Sequence, residues 1–327
     1  MSAHAKRAPS PADHSLDWCR DGQDWPHREH SRFVEAGGLS FHVQVAGPHA
    51  APVLLLLHGT GAASHSWRHV QPILARRFRL VVPDLPCHGF TRPMAGMADL
   101  SLPGMTAALA ALLAALAMRP ASIIGHSAGG AIAVSLATAL GGGEGGGPGG
   151  RSAGGEERRD APAVIAINGA FLPIRGDRLF SPIAKALFSS RLSARMFSLL
   201  ARATPLGGNL VGATGSAIDP KGADLYRRLL ASSGHVRGAL GMMASWDLQR
   251  FDRLLSTFSA PLTLIAADDD PMVPAAHSAH AARLAPSGRL VRTPTGGHLL
   301  HEAAADTVCR MIETALEAER PAGVDAA

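Results

Sequence analysis

The chain predicts an α/β fold, a single domain on a mainly parallel sheet with one helical insertion. Three features carry this reading: short, fully apolar runs of strand length, alanine- and leucine-rich stretches of helix length between them, and glycine or proline at the junctions. Strands that alternate with helices are joined by crossovers, and crossovers make neighbouring strands run parallel. The 327 residues, 46% hydrophobic and 17% charged, supply a large core and match one sheet with an insertion.

Residues 1–24 are polar and proline-bearing with no apolar h-region, so they read as a mobile start and not as a signal peptide. Residues 41–45, Val53–Leu57 and Arg79–Pro83 read as strands, the last two buried on both faces. Residues 66–76 have helical character, and 102–118 form a helix that feeds the strand 122–124. The apolar helix Ala128–Leu140 follows at once. Segments 164–167, 262–266 and 289–292 supply three more strands, and the last helix runs from about 300 to 317.

Residues 141–160 are glycine-rich and then charged, the composition of a flexible linker, on the sheet edge opposite the strand C-termini. Residues 171–246 leave a strand C-terminus and read as mostly helical, with loops such as 204–215, placed to cap the crevice. The organisation expected is therefore a polar segment 1–30, a core in two parts, 31–170 and 247–320, the cap 171–246 between them, and a tail 321–327.

The net charge of +5 and pI near 9.7 come from scattered basic residues, without the dense run that nucleic-acid binding uses. Cys19, Cys87 and Cys309 are odd in number and far apart, which argues against a disulfide framework or zinc site and for a reducing, cytoplasmic location. Apolar stretches stop short of a membrane span. No H-E-x-x-H, P-loop or dinucleotide glycine pattern is present, so no metal or cofactor is expected.

Gly125-His126-Ser127-Ala128-Gly129 matches G-x-S-x-G and lies between a strand and a helix. A sharp strand-to-helix turn crowds its neighbours, so the glycines make room while Ser127 Oγ stands at the helix N-terminus as a candidate nucleophile. Upstream, His58-Gly59-Thr60-Gly61 follows a buried strand, where the Thr60 N–H and that of Ala128 are the expected oxyanion donors. His58 reads as a residue that organises this loop; the base is expected later in the chain.

A serine hydroxyl needs an imidazole to take its proton. Chain order selects His298, in Thr295-Gly296-Gly297-His298, over His301, which falls in the following helix and reads as packing. The acid should follow the preceding strand, where Asp268, Asp269 and Asp270 stand in a row. Asp270 is preferred because the rigid Pro271-Met272-Val273-Pro274 follows it, the other two reading as exposed loop charges. Cys87, without a base and acid of its own, reads as a loop residue.

Through the elbow, the His58-Gly59 loop, the Asp270-Pro271 turn and the Gly297-His298 loop, the chain resembles the α/β-hydrolase superfamily along nearly its whole length. That resemblance implies an eight-stranded type of sheet with flanking helices and a helical cap. Within it, Asp24-Trp25-Pro26-His27-Arg28, residues 31–39 and Leu56-Leu57-His58-Gly59-Thr60-Gly61-Ala62 are similar to the magnesium-chelatase accessory proteins of bacteriochlorophyll biosynthesis. This implies a role at or near Mg²⁺ insertion into protoporphyrin IX, with chelatase subunits as partners. Two departures stand out: Cys87 occupies a position where glycine is common, and the 141–160 insertion is long.

Two functions compete. One is a serine hydrolase of an ester or related acyl substrate, with carbon–carbon hydrolase and perhydrolase chemistry as variants; a serine at 127 argues against the branches that attack through aspartate. The other is a protein that keeps the three residues but acts by holding a tetrapyrrole or the chelatase. Between 171 and 246, ten basic residues face three acidic ones. Most such charges are solvated helix faces; the sharper expectation is that some, Arg227 and Arg228 among them, meet an anionic apolar ligand.

Overall fold

The computed structural model describes residues 15–142, 160–172 and 190–318. Its strands are β1 (Ser31–Ala36), β2 (Leu39–Ala46), β3 (Val53–Leu57), β4 (Arg79–Pro83), β5 (Arg92–Pro93), β6 (Ser122–His126), β7 (Ala163–Ile167), β8 (Leu262–Ala267) and β9 (Gly288–Thr293). Among the described residues they form one nine-stranded sheet in the order β1-β2-β4-β3-β6-β7-β8-β9, with β5 beside β2. From β4 to β9 all pairs are parallel; β1, β2 and β5 add antiparallel pairs at one end.

Alternation along each central strand assigns its side chains to two cores. In β3, Leu55 and Leu57 face the helices α3 (Leu102–Ala115) and α4 (Ala128–Leu140), while Leu54 and Leu56 join Trp67, Leu74 and Ile312 on the other face. Both faces are covered, which is why the run is leucine throughout; each buried leucine contributes roughly 1.5–3 kcal/mol. No helix among the described residues is long and apolar enough to cross a membrane.

Several elements differ from the sequence expectation. β1 pairs with β2 through Gly37 and Gly38, both at positive φ, a two-residue turn that only glycine adopts without strain. Residues 66–76 do not form one helix but a 3-10 turn, Ser64–Trp67, and the short α2 (Gln71–Leu74). Pro72 has no N–H to give the Arg68 carbonyl, which instead accepts His27 Nε2–H at 2.7 Å. The last helix is broken at Ala304 into α11 (Leu300–Ala303) and α12 (Ala305–Ala318). The first buries Leu300, His301 and Glu302, with Leu300 in the same core cluster as Val308 and Ile312 of the second.

From residue 15 onward the N-terminal segment is no mobile start. Leu16 and Trp25 are buried, Trp25 Nε1–H donates to Ser64 Oγ at 3.1 Å, and Trp18 packs edge-on against Phe33 and Phe90. Three apolar side chains outweigh the polar composition around them. The expected flexible insertion lies mainly outside the described residues, as does the start of the expected cap.

The rest of that insertion, 190–246, is helical: α5 (Arg191–Ala203), α6 (Leu206–Gly212), α7 (Pro220–Leu230) and α8 (Ser233–Ser245). α6 occupies the stretch read as a loop, its glycines tolerated because Val211 is buried. An ion cluster fastens these helices to the core. Arg68 pairs with the fully buried Glu302 and with Asp219, which caps α7; Tyr226 O–H donates to Glu302 at 2.7 Å. Burial raises Glu302 from the ordinary carboxylate range, with Arg68 opposing. Removing one partner of such a cluster costs about 3–5 kcal/mol.

Six buried histidines, His58, His65, His88, His126, His235 and His301, are held below the free value because burial disfavours their charged form. His235 is lowered to about 4. Below pH 6.5 the unfolded chain takes up protons that the folded one refuses, so stability falls as pH falls, on the order of 1.4 kcal/mol per pH unit for each histidine. Denaturant titrations should show a steep loss between pH 6.5 and 5; a flat profile there would mean that these rings protonate without unfolding.

Candidate active site

The elbow is built by sheet position and by exclusion of side chains. β6 lies mid-sheet between β3 and β7, and its last residue hands the chain to Ser127 at φ 53°, ψ −121°, outside the helical region, before α4 begins. A Cβ on Gly125 would come within 2.2 Å of the Gly129 carbonyl oxygen, and one on Gly129 within 2.5 Å of Leu57 O. Only hydrogen fits at either position. Ser127 N–H donates to Ile167 O at 3.0 Å, and Ser127 O accepts from Gly130 and Ala170, so the strained residue is tied on both sides.

The structure brings Ser127, His298 and Asp270 together. Ser127 Oγ lies 3.1 Å from His298 Nε2, and His298 Nδ1–H reaches Asp270 Oδ2 at 2.8 Å, which fixes the tautomer that leaves Nε2 free to accept. The other Asp270 oxygen accepts the Met272 and Val273 N–H groups at 2.8 and 3.0 Å. The turn that follows Asp270 therefore aims it.

Asp269, read as a loose surface charge, has a different task. Its oxygens accept Gly296 N–H at 3.1 Å and Gly297 N–H at 2.8 Å, clasping the loop that carries His298. Asp268, exposed like Asp269, pairs with Arg292 at 2.7 Å.

The same loop is held from three further directions that the sequence reading missed. Asn168 Nδ2 donates to Gly297 O and His298 O, both at 2.9 Å, while its Oδ1 accepts Ala267 N–H. His126 Nε2–H also donates to His298 O at 2.9 Å. From the helical segment, Ser216 Oγ–H donates to Gly296 O at 2.7 Å and Thr214 O accepts His298 N–H at 2.8 Å. Asn168 did carry a signal: it precedes Gly169 at a strand end and sits at positive φ, a conformation asparagine tolerates.

The remaining expected residues fall around this centre. His58 Nδ1–H donates to Gly59 O and its Nε2 accepts Leu85 N–H at 2.9 Å, joining the loop after β3 to the loop after β4. Thr60 presents its hydroxyl to Met242 Sδ at 3.5 Å. A Cβ on Gly59 would come within 3.0 Å of Ser127 Cβ, so this loop lies against Ser127. Ala128 opens α4, where its N–H has no carbonyl one turn earlier to bond.

His301 is fully buried between Trp67 and His126. Cys87 takes φ 61°, the conformation a glycine would adopt, and burial pushes its thiol upward. Of the cations expected to face a ligand, Arg227 pairs with Asp224, and Arg228 forks Asp24 at 2.6 and 3.0 Å.

A model of the alpha/beta hydrolase family matches residues 54–311. The chain belongs to that family. It is 38% identical over 296 residues, 90% of this chain and 97% of the other, to a protein named magnesium-chelatase 30 kDa subunit from Rhodobacter capsulatus. Among solved structures, the enol-lactonase from Burkholderia xenovorans LB400 is 18% identical with a TM-score of 0.65, over 88% of this chain and 100% of that one. The meta-cleavage product hydrolase from Pseudomonas fluorescens IP01 is 18% identical with a TM-score of 0.67, over 89% and 99%. At such identity these two share the fold.

Asn168→Ala removes two donors and one acceptor from buried loop groups and places alanine at positive φ. The variant should lose about 2–4 kcal/mol of unfolding free energy; urea titration giving wild-type stability would show that the His298 loop does not depend on it.

Proposed function

We propose that this protein is a serine hydrolase acting on an ester or related acyl substrate through an acyl-enzyme. The observation that carries the reading is the unbroken chain from Asp270 through His298 to Ser127 Oγ, with that oxygen at the start of α4. Ser127 Oγ attacks the acyl carbon as its proton passes to His298 Nε2, and Asp270 stabilises the imidazolium so formed. The carbonyl oxygen takes up negative charge, and the Thr60 and Ala128 N–H groups are the proposed donors to it, aided by the positive end of α4. His298 then gives its proton to the leaving oxygen. Water, deprotonated by the same ring, releases the acid and restores Ser127.

The physiological role we propose is that of an accessory factor for magnesium insertion into protoporphyrin IX in bacteriochlorophyll synthesis, in the cytoplasm and beside chelatase subunits. The Rhodobacter capsulatus relative, matched along almost its whole length, supports this. Its name also favours a second reading, in which the protein holds a tetrapyrrole or the chelatase and the serine chemistry is incidental.

A fluorophosphonate probe should label wild type and not Ser127→Ala. Turnover of a p-nitrophenyl ester should fall by on the order of 10³–10⁴ in His298→Ala and Asp270→Asn, and by less in Asp269→Asn, which loosens the loop but leaves the acid. Undiminished labelling of Ser127→Ala would sink the hydrolase reading. Protection of wild-type Ser127 from the probe by protoporphyrin IX, together with no measurable hydrolysis of p-nitrophenyl esters, would favour binding over turnover.

A further inference from the structure

A cavity of about 430 Å³ opens between the Cys87 turn, residues 91–100, α5 and α8, and none of Ser127, His298 or Asp270 belongs to its walls. At this cavity α8 is seated on the loops after β3 and β4. His235 Nε2–H donates to Gly61 O at 3.0 Å, with its Nδ1 accepting Gly89 N–H, and a Cβ on Gly238 would come within 2.0 Å of Cys87 O. The volume is in the range of small-molecule sites.

Its charge is uneven. Arg92, Arg195 and Arg237 reach the wall. Among the described residues the guanidinium groups of Arg195 and Arg237 have no hydrogen-bond or ion-pair partner, whereas Arg68, Arg227, Arg228 and Arg292 each meet a carboxylate. Arg237 and Arg92 both act on the Cys87 thiol, opposing the upward push of burial, which places their charge beside it. Asp99, the acidic side chain in the wall, is turned to accept Ser101 N–H at 2.9 Å. Met97, Leu100 and Ala194 supply apolar surface next to these cations.

We propose that this cavity is a binding site for an anionic amphiphile, its carboxylate or phosphate head held by Arg195 and Arg237 and its apolar body laid along Met97, Leu100 and Ala194. Guanidinium forks suit either head group. Of the ten basic residues in this segment, Arg195 and Arg237 then have a use that Arg227 and Arg228, paired elsewhere, do not serve.

Cys87 in the wall gives a readout independent of any hydrolysis at Ser127. In a Cys19→Ser background, the rate of Cys87 carbamidomethylation by iodoacetamide is followed by mass spectrometry against dodecanoate, dodecyl phosphate and dodecyltrimethylammonium, each below its micellar range. An anionic probe should slow the reaction while the cationic one does not, and dodecanoate against dodecyl phosphate identifies the preferred head. Arg195→Gln and Arg237→Gln should each raise the half-protecting concentration about tenfold, with circular dichroism confirming the fold. Arg195, on an exposed helix face, gives a second reading if Arg237→Gln fails to fold. Absence of protection by both anions, equal protection by the cation, or unchanged half-protecting concentrations in folded variants would overturn the site.

Discussion

The rest of the structure is arranged around the conformation of Ser127. At φ 53° and ψ −121° a side-chain-bearing residue stands in a region costing of order 1–3 kcal/mol, and it persists because its surroundings leave no alternative. β6 before it is buried on both faces, α4 after it is packed into the larger core, and its N–H and carbonyl are both bonded. The strain demands glycine at 125 and 129, and Gly129 in turn lets the β3 loop lie against the elbow. Sheet order does the rest. β3 and β7 flank β6, so their C-terminal loops deliver Thr60 and Asn168 on either side, while β8 and β9 deliver Asp270 and His298 from beyond.

What could be read from sequence follows a physical division. Strands buried on both faces announce themselves, and Val53–Leu57 and Arg79–Pro83 occupy the expected residues. β1 is an edge strand with mixed exposure, so its pattern is faint, although Gly37-Gly38 marked the hairpin that makes it. The division of 66–76 was visible in Pro72, whose missing N–H forbids a continuous helix. The elbow was legible because steric crowding limits it to a few residue types. Asp269 and Ser216 were not, since their partners are backbone groups of loops distant in the chain, and one side chain's bond to a backbone N–H or carbonyl leaves no periodic trace; Asn168 left only the Asn-Gly pair at a strand end. Three adjacent aspartates look alike in sequence; the Met272 and Val273 N–H groups that single out Asp270 exist once the turn has formed.

The His298 loop shows how much structure one hydrogen-bonded ring requires. Two glycines at positive φ, Gly296 and Gly297, give the loop its shape and would leave it loose if nothing else held it. Asp269, Asn168, His126 and Ser216 remove that freedom from four directions, and Ser216 belongs to the helical segment. The segment is itself fixed through Asp219 and Tyr226 to Arg68 and Glu302, and Glu302 lies four residues after His298. The position of the imidazole and the seating of these helices are thus set by one connected group of contacts.

The molecule also contains its own control for reading three side chains as a site. Ser31, His42 and Asp84 form a second serine–histidine–aspartate chain: Ser31 Oγ is 3.0 Å from His42 Nε2, and His42 Nδ1 is 2.8 Å from Asp84 Oδ2. These distances match those at Ser127 within 0.1 Å. Yet Ser31 opens an edge strand with ordinary extended backbone, and its oxygen also accepts Gln44 Nε2–H. His42 is sealed from solvent, and Asp84 spends its remaining capacity on the Ser64 and Phe90 N–H groups, tying loops together. A hydrogen-bonded triplet is therefore a structural brace by default. Ser127 differs from Ser31 in its strained turn, its place at the start of a helix and the glycine loop against it, and the strain alone costs on the order of 1–3 kcal/mol where Ser31 spends nothing comparable.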